Sequence, residues 1–267
     1  MDKRKLVFPQ PVVIYNNILP FEPPSNVLRI LTVFSEVQPF RIPNAEVIRN
    51  RDLFDLILAH DEEILTACSN SRLFVFGTSW IDPSDAQQIE PTKKTFDVSF
   101  ICGAKKFTEG HLLRQKIWFR QKEIKMPKSF WISGALPVES IDNNPILPIS
   151  PSSKLLMMSS QFHIAIENAK VNNWFTEKLL DCFITKTIPI YWGCPNISNY
   201  FDPYGMIFAE SVQAIIDICN TLNPAYYHHR VASIEFNYNI CLKYCIEIAI
   251  RLKEVINEHF FPFLKNV

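Results

Sequence analysis

The sequence FHIAIEN (162–168), followed after a short gap by WFTEKLLDCFITK (174–186) and TIPIYWGCPNI (187–197), decides the fold. Phe162 to Ile166 is a short apolar run closed by the polar pair Glu167 and Asn168, which predicts a buried strand. Thr176 stands where a helix N-cap is wanted, directly ahead of the apolar-periodic run EKLLDCFI. Thr187 to Trp192 predicts a second buried strand closed by Gly193, and Pro189 places that residue at a strand's beginning or on an edge. Strand, helix, strand in this spacing is the unit of a parallel α/β sheet. Ligands of such sheets bind outside the carboxyl ends of the strands, and the free N–H groups of a helix N-terminus favour phosphate there. Lys178 in the first helical turn runs against the helix dipole, so an anion bound nearby would compensate it. Glu177 beside it suits the hydroxyls of a ribose or another sugar. The same residues serve as an ordinary cap and dipole complement, and spacing alone leaves both readings open.

Working outward, Val27–Phe34, Phe54–Ala59 and Leu73–Phe76 read as strands. Asn44–Asn50 reads as a short helix, and another starts at Asp61, Glu62 and Glu63. The polar stretch from Asp82 to Lys94, with Pro83 and Pro91, reads as a linker. A second unit opens with the strand Phe96–Cys102. Thr108 then caps a helix running to Lys122, with Leu112, Leu113, Ile117 and Trp118 on one face. Ser129–Ile132 predicts a strand, Gly134–Pro151 an irregular stretch, Ser152–Ser160 a helix, and Tyr238–His259 the longest helix of the chain. The expectation is an α/β protein of two Rossmann-like units facing a cleft, an N-terminal one over residues 1–92 and a C-terminal one over 93–267.

At 267 residues, 48% hydrophobic and 20% charged, the chain is long enough to bury a substantial core as one large domain or two compact ones. Lys plus Arg and Asp plus Glu both number 27, so no global charge points to nucleic acid or an anionic membrane surface. Lys3, Arg4 and Lys5 are followed by proline-broken sequence rather than by an apolar run, so the start does not read as a signal peptide. No apolar run approaches a bilayer span, and a cytoplasmic protein is the default expectation. Seven cysteines without a CxxC pair read as reduced core residues, and His228-His229 has no acid or thiol at metal spacing. No bound metal is expected.

The motif from ENA (167–169) through WFTEKLLDCFITKTIPIYWGCPNI (174–197) resembles the donor-binding motif of the family 10 glycosyltransferases, the α-1,3/1,4-fucosyltransferases. Their pattern is roughly FxLxFENS, a gap, Y-[IV]-TEK[IL], then a strand [TV]-[IV]-P-[IV] ending in glycine, and both halves are matched here at the right spacing. The resemblance implies a GT-B fold whose C-terminal unit holds GDP-fucose and whose N-terminal unit presents a glycan acceptor. It also implies inversion at the anomeric carbon without an obligatory metal or other cofactor. Carried over by motif, Asn168 and Glu177 contact ribose or fucose, Lys178 the diphosphate, and Arg114 a phosphate through its bidentate fork. The family's tyrosine and lysine before the FxLxFEN strand are replaced by Ser160 and Gln161, which removes a cation that Lys154 or Lys170 would have to supply. The same fold with another nucleotide-sugar donor, or a non-catalytic glycan- or nucleotide-binding relative, is the alternative.

Inverting transfer needs a general base for the acceptor hydroxyl. Glu36, in FSEVQP (34–39) just after a strand, resembles the family's glutamate ahead of a proline and ranks first. Asp61, Glu62 and Glu63 beside His60 read instead as dipole complements at a helix start.

Overall fold

The computed structural model describes residues 8–262 apart from 23, 37–40, 88, 151 and 152. The basic segment Lys3–Lys5, the Val37–Pro39 part of the Glu36 motif, and Pro151 and Ser152 lie outside the described residues. The chain packs as two compact units. The first holds the described residues of Met1–Phe76, Val171–Trp174 and Ile246–Val267, and the second holds those of Gly77–Lys170 and Phe175–Cys245.

In the first unit, β1 (Val12–Asn16), β2 (Leu28–Val33), β3 (Leu56–Ala59) and β4 (Ser71–Leu73) form a four-stranded parallel sheet in sequential order. The helices α1 (Asn44–Arg49) and α2 (Glu62–Ala67) lie between β2 and β3 and between β3 and β4. Both faces of this sheet are covered, which is why LRILTV and LILA are nearly continuous apolar runs. Leu31, Val33, Ile57 and Ala59 pack with Val47 of α1 and Ile64 of α2. Ile30, Leu56 and Leu58 turn the other way, onto Phe74, Phe76 and Trp174. The expected strand Leu73–Phe76 is displaced toward the N-terminus, to β4, and shares only Leu73 with it. Phe74 and Phe76 instead turn into the second core, with ring centroids 4.8 Å apart.

The second unit contains α3 (Pro83–Ala86), β5 (Thr95–Cys102), α4 (Glu109–Phe119), β6 (Lys128–Ser133), β7 (Ile146–Leu147), α5 (Lys154–Met157), β8 (Ser160–Ile166), α6 (Glu177–Ile184), β9 (Ile188–Trp192), β10 (Ile207–Phe208), α7 (Val212–Thr221), α8 (Pro224–His228) and α9 (Val231–Cys241). Its six strands are parallel, in the order β10-β9-β8-β5-β6-β7. The core on the α4 and α7 side joins Phe100, Trp118, Phe130, Ile164, Ile190 and Ile215. Pro189 is the second residue of β9 and pairs with His163 of β8, while β10 joins only from Ile190 onward. The proline therefore sits at the strand's beginning, where its missing N–H is tolerated.

The helix α10 (Ile248–Phe260) returns the chain to the first unit, where Leu252 and Ile256 join Phe74 and Phe76. The expected single helix Tyr238–His259 is thus two helices, separated by a 3₁₀ turn at Leu242–Tyr244. The break falls where the chain passes from one unit to the other, between Cys245 and Ile246. The boundary expected near residue 92 falls inside the second unit, because Gly77 to Ile81 already packs there. Ser79 Oγ and the Trp80 N–H both donate to Asp181 of α6 at 2.8 Å. All seven cysteines carry free thiols, six of them buried. No described helix is long and apolar enough to cross a membrane.

Candidate functional site

The strand order of the second unit reverses at β5: the chain builds β6 and β7 to one side, then returns to lay β8, β9 and β10 on the other. The crevice at the carboxyl ends of β5 and β8 is therefore the topological switch point, the place where open α/β sheets bind ligands. Helix α4 leaves from β5 and crosses to the end of β8. Its cap is Thr108, whose Oγ1 accepts from the His111 N–H. The Gly110 N–H donates to the Asn168 carbonyl at 2.9 Å. The approach is so close that a Cβ on Gly110 would lie 1.8 Å from the Glu167 carbonyl oxygen.

One turn along α4, the Arg114 guanidinium donates to the Ile166 carbonyl and, at 2.7 Å, to Asn168 Oδ1. Two residues carried over by resemblance from positions 54 apart thus touch each other at the switch point. The other two, Glu177 and Lys178, open α6. Lys178 Nζ donates to Glu177 Oε1 at 3.0 Å and to Thr176 Oγ1 at 3.1 Å. It also stands 3.8 Å from Glu167 Oε2.

Glu167 is the member of the site that sequence reasoning passed over. It is fully buried, and its carboxylate accepts from the Thr176 N–H at 2.8 Å and the Thr176 hydroxyl at 2.7 Å. It thereby ties the end of β8 to the start of α6. The anion expected to compensate Lys178 is in part supplied by the chain itself, through Glu167 and Glu177. A lone acid ending an apolar strand, nine residues before a helix cap, is the signal that marks it. Burial pushes the Glu167 carboxyl up, against the pull of Lys178. Burial would do the same to Glu177, but the ammonium groups of Lys178 and Lys154 and its own hydrogen bonds hold it below the usual range. Lys178 is held above its ordinary value, since Glu177 and Glu167 outweigh its burial. At neutral pH this gives a charged Lys178–Glu177 pair on a buried carboxyl hinge. Gly193 closes against that hinge, with a hypothetical Cβ only 2.5 Å from Glu167 Cγ and from the Tyr191 hydroxyl.

Gln161 lies at the other end of β8, buried, and its amide donates to the Lys94 carbonyl at 3.4 Å. The ammonium of Lys94 fills that neighbourhood, donating to the Ser160 carbonyl at 3.3 Å, to the Met158 carbonyl at 2.5 Å and to Thr187 Oγ1 at 2.7 Å. A lysine at position 161 would therefore stand at the amino end of the strand, roughly 16 Å from Ile166 at 3.3 Å per residue. Its replacement removes no cation from the switch point. Of the two substitutes considered, Lys170 pairs with Glu210, while Lys154 pairs with buried Asp181 and acts on Glu177.

No protein-family model matches the chain. Over 47 residues it is 36% identical to the α-(1,3)-fucosyltransferase FucT of Helicobacter pylori, a stretch covering 18% of this chain and 10% of that protein. It resembles a crystal structure of α1,3-fucosyltransferase with GDP-fucose, at a TM-score of 0.52 and 15% identity over 89% of this chain and 78% of that one. Anabaena HepE in complex with UDP-glucose gives a TM-score of 0.56 and 11% identity over 87% and 72%. The fold is GT-B-like. Arg114, Asn168, Glu167, Glu177 and Lys178 of the second unit lie around one switch point of that fold.

Glu36 belongs to the first unit, three residues beyond the carboxyl end of β2 and half-buried. Ser35 before it holds a φ of 99°, a conformation L side chains rarely adopt. Asp61 caps α2, accepting from the Glu63 N–H at 3.0 Å and from Arg41 at 2.7 Å. Glu62 and Glu63 fill the first turn of that helix, in the dipole-complementing role expected of them. Tyr191, Trp192 and Cys194 are buried, and the Cys194 N–H donates to the Tyr191 hydroxyl at 2.9 Å. Cys194 thus packs beside the Gly193 turn.

Proposed function

We propose that this chain is an inverting glycosyltransferase of the α-1,3-fucosyltransferase kind, moving fucose from GDP-fucose to a hydroxyl of a glycan acceptor. The observation that carries the proposal is the convergence of Arg114, Asn168, Glu167, Glu177 and Lys178 at the carboxyl ends of β5 and β8. The short identity to an α-(1,3)-fucosyltransferase and the GT-B-like fold support it. In this reading Arg114 and Lys178 neutralise the diphosphate that leaves when the glycosidic bond forms, which is electrostatic stabilisation of developing charge. Asn168 and Glu177 take hydroxyls of the donor. Glu36 receives the acceptor hydroxyl's proton as that oxygen attacks the anomeric carbon from the face opposite the leaving diphosphate. No metal enters the scheme, because the two cations carry the charge compensation.

A panel of GDP-, UDP-, CMP- and TDP-sugars tests the donor. A ligand of the folded state alone raises the melting temperature by mass action, and GDP and GDP-fucose are the compounds expected to do so. A shift with UDP-sugars and none with GDP species would transfer the proposal to another donor, in line with the fold likeness to HepE. No shift with any of them would remove it.

A further inference from the structure

Of the seven cysteines, Cys245 alone is less than fully buried, while Cys241, one turn before it, is wholly buried. Cys241 ends α9, the 3₁₀ turn Leu242–Tyr244 follows, and the Cys245 N–H closes on the Leu242 carbonyl at 3.1 Å. Cys241, Leu242 and Cys245 all keep helical backbone angles, so the two cysteine side chains share a face at the spacing i, i+4. The Cys245 thiol folds back along that face and donates to the Cys241 carbonyl at 3.5 Å, and the two thiols are hydrogen bonded to each other. Ser79 makes a further hydrogen bond to Cys245, and Cys241 Sγ reaches the Leu180 carbonyl of α6 at 3.4 Å. The other five cysteines are buried, and burial pushes the thiols of Cys68, Cys102, Cys182 and Cys219 up. The function described above uses none of these sulfurs.

We infer that Cys245 is a site of reversible oxidation by hydrogen peroxide, and that Cys241 resolves the oxidised sulfur into a disulfide across the turn that ends α9. The thiolate is the form that attacks. The hydrogen bond from the Cys241 thiol, helped by one from Ser79, holds Cys245 below its ordinary value against burial and the charges of Asp181 and Asp82. Burial, and then the same hydrogen bond, hold Cys241 well above its own. The accessible sulfur is thus the nucleophile and the buried one waits beside it. In the first step the Cys245 sulfur takes one oxygen of the peroxide as the O–O bond breaks, giving a sulfenic acid, and the other oxygen leaves as water. In the second, the Cys241 sulfur attacks the Cys245 sulfur, the S–O bond breaks, and the hydroxyl leaves with the Cys241 proton as a second water. Two thiols have then lost two electrons to one peroxide. Side chains at i, i+4 hold their Cβ atoms about 5–6 Å apart, whereas a disulfide needs about 3.5–4.5 Å. The turn must therefore tighten by roughly 1.5 Å, and a bond made under such strain is readily reduced by thiols. Resolution by Cys241 also spares Cys245 the irreversible sulfinic stage.

The test treats the reduced, folded full chain with one equivalent of hydrogen peroxide, blocks the remaining thiols with iodoacetamide, and digests with trypsin for mass spectrometry. Lys243 lies between the two cysteines, so cleavage there separates VASIEFNYNICLK (231–243) from YCIEIAIR (244–251) unless a disulfide joins them. The joined pair is expected, lighter by two hydrogens than the sum of its parts and split by dithiothreitol. Titration of the treated chain should show two of the seven thiols lost. Cys241→Ala should leave the sulfenic acid unresolved, so that dimedone adds once, at Cys245. Cys245→Ser should leave the other six thiols intact. Both variants change only a small side chain, and the wild-type digest decides the pairing even if Cys241→Ala does not fold. Peptides 231–243 and 244–251 recovered separately and alkylated, or loss of thiols from other cysteines first, would overturn the inference. A disulfide joining two chains through Cys245 would overturn the resolving role of Cys241.

Discussion

Replacing Gly110 by alanine sets two opposed effects against each other at the heart of the site. Within a helix the exchange is favourable by roughly 0.8–1 kcal/mol, because glycine loses more backbone freedom on folding. Here the added methyl would lie 1.8 Å from the Glu167 carbonyl oxygen and 2.9 Å from that of Asn168. Carbon and oxygen settle at about 3.3 Å or more, so α4 or the end of β8 must move by roughly 1.5 Å. Both obstacles are backbone, so no rotamer change relieves them. The move stretches the bond from the Gly110 N–H to the Asn168 carbonyl, worth about 1 kcal/mol, and drags on the Arg114 contacts. Overpacking itself costs about 1–3 kcal/mol. The net expectation is a destabilisation of about 2 kcal/mol in the second unit, with weakened GDP binding because Arg114 and Asn168 are displaced together. Urea denaturation followed by tryptophan fluorescence and far-ultraviolet circular dichroism reads the first effect, and titration with GDP reads the second. If Gly110→Ala were stabilising by the helix-propensity increment and bound GDP normally, the close crossing of α4 over β8 would be wrong, and the argument for the site with it.

Four further substitutions probe the remaining assignments. Arg114→Ala and Lys178→Ala should each weaken GDP by about ten- to a hundredfold in a direct titration, the worth of a charge-assisted contact to phosphate, and wild-type affinity in either excludes that residue from the diphosphate. Glu36→Gln should abolish fucose transfer while GDP affinity stays within about twofold, since a base acts on the reaction and not on donor binding; undiminished transfer removes Glu36 from the mechanism. Burial brings the Lys94 ammonium down to about 7. Between pH 7 and pH 10 the unfolded chain therefore holds a proton that the folded chain does not, so stability rises with pH there, by up to about 1.4 kcal/mol per unit, and levels off below. Lys94→Met should flatten that slope in denaturation curves recorded from pH 7 to pH 10, and an unchanged slope would show that Lys94 is not its source.

Much of this architecture is legible in the chain. The strand β8 and helix α6 follow from an apolar run, a threonine cap and the spacing between them, and the structure places both within two residues of expectation. Thr108 and Asp61 cap their helices as their positions suggest. Features set by partners distant in sequence were not legible. The split of Tyr238–His259 involves neither glycine nor proline, so no local signal marks it. Strand β1, between Pro11 and Pro20, is short and half-exposed, and only its pairing with β2 defines it. Gln161 illustrates the reverse error. Its place in a motif suggested a role at the donor end, and the direction of the strand puts it at the opposite end. Glu167 left one local signal, a lone acid ending an apolar strand, but its partner Thr176 became evident only in the fold.

The return of α10 to the first unit has a consequence for how the protein is made. Chains emerge from the ribosome N-terminus first, and domains ordinarily fold in that order. Here the sheet β1–β4 emerges before its second core is complete, because Leu252 and Ile256 of α10 join Phe74 and Phe76 there. By the time α10 appears, every residue of the second unit up to Cys245 has already been synthesised. The unit whose synthesis starts first therefore cannot complete its core until the other unit has been made.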